Sequence, residues 1–453
     1  MLYSFESPSG GMADAVDSKS TVGNYVGVQV PSRALKLRDK IKRFTLFGKS
    51  FAKTLTFFEF MREGKLGNRL PLFYIVTTLF WMALYAYVPF VTPYAEQMDT
   101  DLRLIGLIAG AYGFVQMALR FPLGILSDKL QKRKVFVLIG LFFAALSGFV
   151  VYFFPSPMTL LLSRSFAGVT AATWVTLTIL GSSYYRPEDT IKSIGLLNAA
   201  NGLGRMTVLL MGGFIAEWMG FSHAFLLAGG VGLVAFVLGF GIVETKPNVD
   251  DKKEPPSFSA LLDVARNPQL LCASLLAILS QYIMFATTFG FTPMAAVQLG
   301  ASNMQLGFLG MVSTLPALVI SPFMSKIVQK SGLTFTLSFS FLLSGLGAAL
   351  VATSSELWQL FLVQIVSSIG LAALITLLMG LSIRDISPER RATAMGFFQA
   401  VYGLGMFSGP FVTGLVWHSQ GMEVAFMFTG IVGLMGMIVS IIFVRRGHLS
   451  ASD

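Results

Sequence analysis

From residue 71 to residue 444 the chain alternates long apolar runs with short polar connections. Twelve of these runs reach the roughly 20 residues that a helix needs to cross about 30 Å of hydrocarbon. They cover residues 71–94, 104–126, 135–154, 158–184, 191–216, 224–244, 269–292, 304–324, 335–353, 358–383, 392–416 and 424–444. The pattern predicts an all-α membrane protein with twelve transmembrane helices.

The second six runs repeat the first six at a constant offset of 201 residues. The repeated positions include the pairs Gly195 and Gly396, Gly204 and Gly405, Gly213 and Gly414, Gly220 and Gly421, and Phe225 and Phe426. Duplicated bundles of membrane helices that meet around a central site are typical of secondary transporters. The repeat therefore predicts two parallel-repeat six-helix bundles with a solute pathway between them.

Composition and charge agree with a membrane protein. Hydrophobic residues make up 54% of the chain and charged residues 12%, whereas a soluble domain carries about 25% charged residues. The chain has a net charge of +10, and the Lys and Arg residues between the runs lie, apart from Arg103, in the loops that follow even-numbered runs. Because excess Lys and Arg stays cytoplasmic, the charge predicts two cytoplasmic termini rather than nucleic-acid binding. The single cysteine, Cys272, lies in an apolar run, so no intrachain disulfide can form.

The chain divides accordingly into bundles at residues 61–244 and 268–444, a cytoplasmic linker at 245–267 and a cytoplasmic tail at 445–453. Residues 1–60 do not follow the helix pattern. They resemble the translation of a bacterial leucine transfer RNA gene, because codons for Ser7-Pro8-Ser9 and Ser32-Arg33-Ala34 can pair as the two arms of an acceptor stem. We therefore expect a spurious or disordered leader and a start at Met61. The alternative is an amphipathic surface helix over residues 35–60.

A short basic loop joins the second and third predicted helices. It reads Gly124-Ile125-Leu126-Ser127-Asp128-Lys129-Leu130-Gln131-Lys132-Arg133-Lys134. This segment resembles the signature loop of the major facilitator superfamily, with Gln131 where the family usually has a second glycine and Lys129 where it has arginine. Together with twelve predicted helices and a parallel repeat, the resemblance implies a transporter of the major facilitator fold.

The resemblance also implies that this loop is a conformational latch made of Gly124, Asp128, Lys129, Lys132, Arg133 and Lys134. An acid at a helix end can contact basic side chains and the positive N-terminus of a neighbouring helix, so Asp128 would favour one state of an alternating-access cycle. Arg120, four residues before Gly124, is expected to support this loop or to extend toward the membrane surface. The alternative is that the basic residues only orient the protein.

Two further arginines lie within predicted helices. Each costs about 2.5 to 3.5 kcal/mol at a helix centre on insertion scales, so each needs a partner. Arg164 resembles the arginine of the family's fourth-helix motif, with Gly168 four residues later. Arg205 lies midway along the fifth helix, and its repeat mate is the apolar Met406. A structural role and contact with a solute are both open for Arg164 and Arg205.

Other polar and aromatic residues inside the apolar runs are candidates for the solute pathway. Unpaired amides in hydrocarbon are costly, so such residues face other helices or a wet cavity. The candidates are Gln116, Thr173, Asn198, Asn201, Gln281, Gln364, Gln399 and Tyr402, with Trp81, Tyr85 and Trp174 as aromatic walls. No Asp or Glu lies deep in a predicted helix, which weakens the case for proton coupling.

The leading interpretation is a monomeric, multi-pass carrier of a small organic solute, anionic or zwitterionic, in the plasma membrane of a bacterium. A coupling proton or sodium ion is left open. Multidrug efflux is an alternative, although Gly409-Pro410, which resembles a drug-antiporter motif, lies in the eleventh helix and not in the fifth. A transporter-like receptor or scaffold that binds a solute without moving it is another. No metal site, cofactor or enzymatic activity is expected, because no constellation of ligands or catalytic groups is visible.

Overall fold

Twelve helices in the described part of the chain are long and apolar enough to cross a membrane. The computed structural model describes residues 70–130, 132–186, 189–244, 264–387, 390–447 and 449. The helices are α1 (Leu70–Gln97), α2 (Leu102–Ser127), α3 (Arg133–Phe153), α4 (Pro157–Ser183), α5 (Ser193–Met219), α6 (Phe221–Gly239), α7 (Pro268–Gln298), α8 (Asn303–Ser331), α9 (Leu333–Val351), α10 (Leu357–Arg384), α11 (Thr393–Gln420) and α12 (Met422–Arg445). The predicted all-α fold class is confirmed.

The helices differ from the sequence prediction mainly at their ends. α7 continues to Gln298 rather than residue 292, and α8 continues to Ser331 rather than residue 324. The extension of α8 includes Lys326 and Lys330, which hydropathy alone does not assign to a span, and the extension of α7 follows its π-helical turn. The predicted leader at 1–60, residues 245–263 of the predicted linker and residues 450–453 lie outside the described residues, so those assignments stay predictions.

Successive helices alternate in direction across the membrane. The connection between α2 and α3 defines one side, which we call the signature-loop side. The connections from α1 to α2 and from α7 to α8 lie on the opposite side. Odd-numbered helices therefore run from the signature-loop side to the opposite side, and even-numbered helices run back.

α1 and α7 are interrupted at equivalent positions of the repeat. α1 contains a 3₁₀ turn at Val88–Phe90, and α7 contains a π-helical turn at Thr287–Phe291. Pro89 lies in the first turn and Gly290 in the second, and these two residues are 201 positions apart. Proline lacks a backbone N–H donor, and irregular turns leave carbonyl groups outside the regular helical hydrogen bonding. The Thr92 hydroxyl of α1 donates a hydrogen bond of 2.6 Å to the Gly290 carbonyl of α7. This bond joins the two halves near the opposite side.

Two pairs of glycines bring the halves into close contact. A Cβ atom added to Gly414 on α11 would lie 3.0 Å from the Cα atom of Gly106 on α2. A Cβ atom added to Gly213 on α5 would likewise lie 3.0 Å from the Cα atom of Gly307 on α8. The two crossings are related by the repeat, because Gly106 corresponds to Gly307 and Gly213 to Gly414. Small residues allow such close backbone approach between membrane helices.

The same helices separate toward the signature-loop side. Gly124 on α2 and Gly396 on α11 have no atom within 4 Å of an added Cβ, although Gly106 and Gly414 on those helices are tightly packed. Gly195, near the signature-loop end of α5, is equally open. The halves thus meet at the opposite side and diverge toward the signature-loop side.

Candidate solute-binding site

Arg205 lies between aromatic rings of both halves. Its guanidinium carbon is 4.3 Å from the ring centroid of Tyr85 on α1 and 5.9 Å from that of Phe289 on α7. Cation–π contacts of this kind hold a guanidinium by its faces and leave its in-plane N–H groups available. The buried Nε atom has no hydrogen-bond partner among the described residues.

Arg164 on α4 lies beside the same group of rings. It is 3% exposed, and its guanidinium carbon is 4.8 Å from the ring centroid of Tyr112 on α2. Its Nε atom is also buried without a hydrogen-bond partner in the described part of the chain. Two guanidinium groups thus lie at one site with buried donors that no described acceptor satisfies.

Arg164 lines a small cavity of about 10 Å³, together with the Tyr85 and Phe289 rings that contact Arg205. It is lined by Leu84, Tyr85, Val88, Tyr112, Arg164, Phe285 and Phe289. This is about the volume that a single water molecule needs, so a solute cannot lie there without movement of the rings.

Aromatic residues from four helices form a continuous wall around the arginines. Trp81 lies 4.9 Å from Trp174 and 5.8 Å from Tyr85, measured between ring centroids. Tyr85 is 5.8 Å from Phe289, which is 5.1 Å from Phe285. Phe285 in turn stacks on Tyr112 at 5.9 Å with an angle of 13° between the rings. We call Tyr85, Tyr112, Phe285, Phe289 and Arg205 the aromatic site. Trp81 and Trp174, which contact each other, lie nearer the signature-loop side.

The prediction of pathway residues anticipated only part of this wall. It includes five of the predicted residues, which lie in or beside the wall: Trp81, Tyr85, Trp174, Arg164 and Arg205. Tyr112, Phe285 and Phe289 were missed. The four-residue spacing of Phe285 and Phe289 places them on one helix face, but a phenylalanine that faces a site and one that faces lipid look alike in a single sequence.

Three of the predicted pathway amides have a buried side-chain oxygen that accepts no hydrogen bond from the described residues. These oxygens are Gln116 Oε1, Asn201 Oδ1 and Gln281 Oε1. Gln364, by contrast, donates hydrogen bonds of 2.7 Å to Thr288 Oγ1 and 3.3 Å to Ser368 Oγ. Its polar group is satisfied by protein. Asn198 is exposed. It lies two helical turns closer to the signature-loop side than Arg205.

Thr173 packs between helices rather than beside the arginines. It is fully buried, and its hydroxyl donates a 2.7 Å hydrogen bond to the Thr170 carbonyl within α4. A Cβ added to Gly140 on α3 would lie 3.1 Å from the Thr173 Cβ. Its contacts are those of a packing position between α3 and α4.

Arg120 joins the two halves rather than contacting the loop that it was expected to support. Its Nη1 atom donates a 2.7 Å hydrogen bond to Gln399 Oε1 and lies 3.4 Å from Tyr402 Oη, both on α11. Its Nη2 atom donates to the Ala171 carbonyl on α4 at 3.4 Å. Arg120, Gln399 and Tyr402 therefore form one cross-half cluster. Among the described residues it is the polar cross-half contact nearest the signature-loop side.

Further polar contacts join the halves at the opposite side. Glu217 Oε2 at the end of α5 accepts a 2.9 Å hydrogen bond from the Met304 backbone N–H in the first turn of α8. Asn303 Nδ2 donates to the Ala216 carbonyl at 2.9 Å. His418 Nδ1 at the end of α11 lies 3.3 Å from Asp101 Oδ2 before α2. We call these contacts the opposite-side closure.

The charge of Asp101 is set mainly by its neighbour. The Arg103 side chain and backbone N–H donate hydrogen bonds of 2.9 and 2.8 Å to Asp101 Oδ1. These bonds favour the ionised form and lower the pKa of Asp101 to about 2. Asp101 is therefore negatively charged at any physiological pH.

The family model for the Major Facilitator Superfamily matches residues 73–297 and 275–452. The chain belongs to this superfamily. Its members are transporters and not enzymes, and the predicted family is confirmed. An uncharacterized superfamily transporter of Methanocaldococcus jannaschii is 24% identical over 393 residues, which cover 84% of this chain and 100% of the relative. The riboflavin transporter RibZ of Clostridioides difficile is 23% identical over 427 residues, covering 79% of this chain and 93% of that protein.

Solved structures of the superfamily share the fold. A bacterial homolog to the human lysosomal transporter Spinster, in an inward-facing and unoccupied conformation, aligns with a TM-score of 0.70. The alignment covers 85% of this chain and 98% of that chain at 14% sequence identity. At this identity the likeness concerns the fold alone.

The superfamily's signature loop has an acidic partner that the sequence analysis missed. Glu244, just after α6, accepts hydrogen bonds of 2.9 and 2.7 Å from the backbone N–H groups of Arg133 and Lys134 at the start of α3. A carboxylate at a helix N-terminus satisfies free donors and complements the helix dipole. Lys134 Nζ also donates to the Phe240 carbonyl at 2.8 Å. The only sequence signal was an acid at the end of an apolar run.

For the other residues of the predicted latch, the structure shows only how exposed they are. Lys129 and Lys132 are exposed, and Gly124 has open space beside it. The side chain of Asp128 lies outside the described residues, so its predicted contacts stay a prediction.

Proposed function

We propose that this chain is a secondary carrier that moves a small organic solute, anionic or zwitterionic, by alternating access. The observation that carries the proposal is the pair Arg164 and Arg205. Each has a buried Nε donor without a partner among the described residues, and no described carboxylate forms an ion pair with either. Two permanent positive charges at one site favour a negatively charged ligand group and disfavour a cation.

A carboxylate of the solute would supply the missing partner. An unpaired guanidinium in a low-dielectric site is costly, and a carboxylate can accept two parallel hydrogen bonds from its in-plane donors. The rings of Tyr85 and Phe289 cover the faces of Arg205, so such a ligand would approach along the guanidinium edge. Lysine reproduces this geometry poorly.

The separation of the halves supports a state open to one side. The opposite-side closure joins the halves at the far end, and the space beside Gly124, Gly195 and Gly396 is open toward the signature-loop side. The excess of Lys and Arg on the signature-loop side predicts that this side is cytoplasmic. On this account the conformation is inward-facing, and the protein acts in the plasma membrane of a bacterium with both termini in the cytoplasm.

Uptake by reconstituted protein tests this proposal. Proteoliposomes with purified protein would be incubated with a bacterial metabolite extract, and the accumulated compounds would be identified by mass spectrometry against empty liposomes. Accumulation of carboxylates or phosphates is expected. Binding of such compounds without accumulation would indicate a receptor, and accumulation of lipophilic cations would indicate multidrug efflux; either result would contradict the proposal.

A further inference from the structure

Four helices each place one polar side chain a single turn to the signature-loop side of the aromatic site. Trp81 precedes Tyr85 on α1, Gln116 follows Tyr112 on α2, Asn201 precedes Arg205 on α5, and Gln281 precedes Phe285 on α7, in each case by four residues. Residues four apart lie on the same helix face. We call Trp81, Gln116, Asn201 and Gln281 the polar layer.

Every member of the polar layer has a buried polar atom without a partner in the described residues. These atoms are Trp81 Nε1, Gln116 Oε1, Asn201 Oδ1 and Gln281 Oε1. Trp81, Gln116 and Gln281 are only 8%, 5% and 4% exposed. A buried polar group without a hydrogen bond costs about 1 to 3 kcal/mol, and natural proteins keep few of them. Four on four helices at one level indicate a ligand that completes them.

The neighbouring rings restrict the shape of that ligand. Trp81 and Tyr85 of the first half and Phe285 and Phe289 of the second lie at ring distances of 5.1 to 5.8 Å from one another along the wall. Offset and edge contacts between aromatic rings contribute about 0.5 to 1.5 kcal/mol beyond area burial. A planar ring that enters from the open side would meet such edges and faces, whereas a saturated ring of the same size would not.

We infer that the solute is a planar aromatic carboxylate that also carries a hydroxyl or amino group. This inference rests on the proposed function, because Arg205 and Arg164 take the carboxylate. The rings of the aromatic site move apart to receive the ring of the solute, and the amides of the polar layer pair with the hydroxyl or amino group. Amides offer both a donor and an acceptor, so they can serve either substituent.

Binding of four small probes to the purified full-length protein separates the parts of this inference. The probes are 4-hydroxybenzoate, its ring-saturated counterpart trans-4-hydroxycyclohexanecarboxylate, benzoate and 4-hydroxybenzamide. We expect 4-hydroxybenzoate to bind about tenfold more tightly than the saturated acid and several-fold more tightly than benzoate. Equal affinities for the planar and saturated acids would overturn the aromatic part and leave the proposed function standing.

The order of affinities for these four probes is different if the proposed function is wrong. Binding of 4-hydroxybenzamide in preference to all three acids would contradict a carboxylate partner for the arginines. Absence of binding by every acid at millimolar concentration would count against the inferred solute class.

Two substitutions of the same type test the polar layer itself. Gln116→Met replaces an amide without a partner, whereas Gln364→Met removes an amide bonded to Thr288 and Ser368. Gln116→Met is expected to weaken 4-hydroxybenzoate binding several-fold without lowering the melting temperature, and Gln364→Met is expected to lower the melting temperature. If Gln116→Met destabilises the protein as much as Gln364→Met does and leaves the affinity unchanged, Gln116 is a packing residue and the inference fails.

Discussion

Glu217 accepts a 2.9 Å hydrogen bond from the backbone N–H of Met304, so an acid of the first half caps a helix of the second. The repeat mate of Glu217 is His418, which lies 3.3 Å from Asp101 at the start of α2. Since α2 is the repeat mate of α8, the two contacts are equivalent by the duplication. One pairs a carboxylate with a helix terminus, and the other pairs a histidine with a carboxylate.

The Glu217 contact is expected to hold the opposite side closed. Glu217→Gln keeps an acceptor for the Met304 N–H but loses the charge, and Glu217→Leu loses both. Because a side-chain cap contributes about 1 kcal/mol, Glu217→Leu should raise the open fraction about fivefold, with Glu217→Gln in between. Distances between spin labels at the ends of α5 and α8 would measure this; unchanged distributions in both variants would show that the cap does not bias the states.

The His418 contact is also expected to hold the opposite side closed. The pKa of Asp101 is lowered to about 2. Its carboxylate therefore stays charged, and can stabilise closure, until the pH falls toward 2. Replacing its partner in His418→Leu should therefore weaken closure.

Spin labels at Asp99→Cys and Gln420→Cys, in a Cys272→Ser background, would measure that response. Because exposed ion pairs contribute little and are screened by salt, the change in the open fraction should be small and should fall at high ionic strength. Unchanged distance distributions in His418→Leu at low salt would show that this contact does not bias the states.

The acid that caps α3 should matter for stability. Glu244→Gln is expected to lower the free energy of unfolding by about 1 kcal/mol, because two N–H groups at the start of α3 lose a charged acceptor. Glu423→Gln is a suitable control, since Glu423 is an exposed acid in the first turn of α12. Thermal melts in detergent that show equal stability for the two variants would contradict a capping role for Glu244.

The fold was predictable because apolar run length and the 201-residue repeat can be read from the sequence without knowledge of tertiary contacts. The contacts of the site were not. Arg120 was assigned to the neighbouring loop because nothing in the sequence shows that α2 packs against α11, where its partner Gln399 lies. Phe289 was missed for a similar reason, since its significance comes from Arg205 on another helix. Buried arginines stand out in sequence because their cost is intrinsic, whereas the partners that offset this cost depend on tertiary packing.

Sidedness can be tested by single cysteines in a Cys272→Ser background. Positions 132 and 390 should react with a membrane-impermeant reagent only after permeabilisation, and position 99 should react in intact cells, because Lys and Arg favour the cytoplasm. Labelling of position 132 in intact cells would reverse the orientation.

The central claim is that Arg205 binds the negative group of a transported solute. Its most direct test is uptake into proteoliposomes of the compound that the wild-type protein accumulates, compared among wild type, Arg205→Lys, Arg205→Ala and the control Arg446→Lys, an exposed arginine at the end of α12. Truncating one partner of a buried charge pair costs about 2 to 5 kcal/mol, so Arg205→Ala should reduce kcat/KM at least about thirtyfold. Arg205→Lys should reduce it less, and Arg446→Lys should transport normally. Normal transport by Arg205→Ala, in protein that is correctly folded and inserted, would contradict the account.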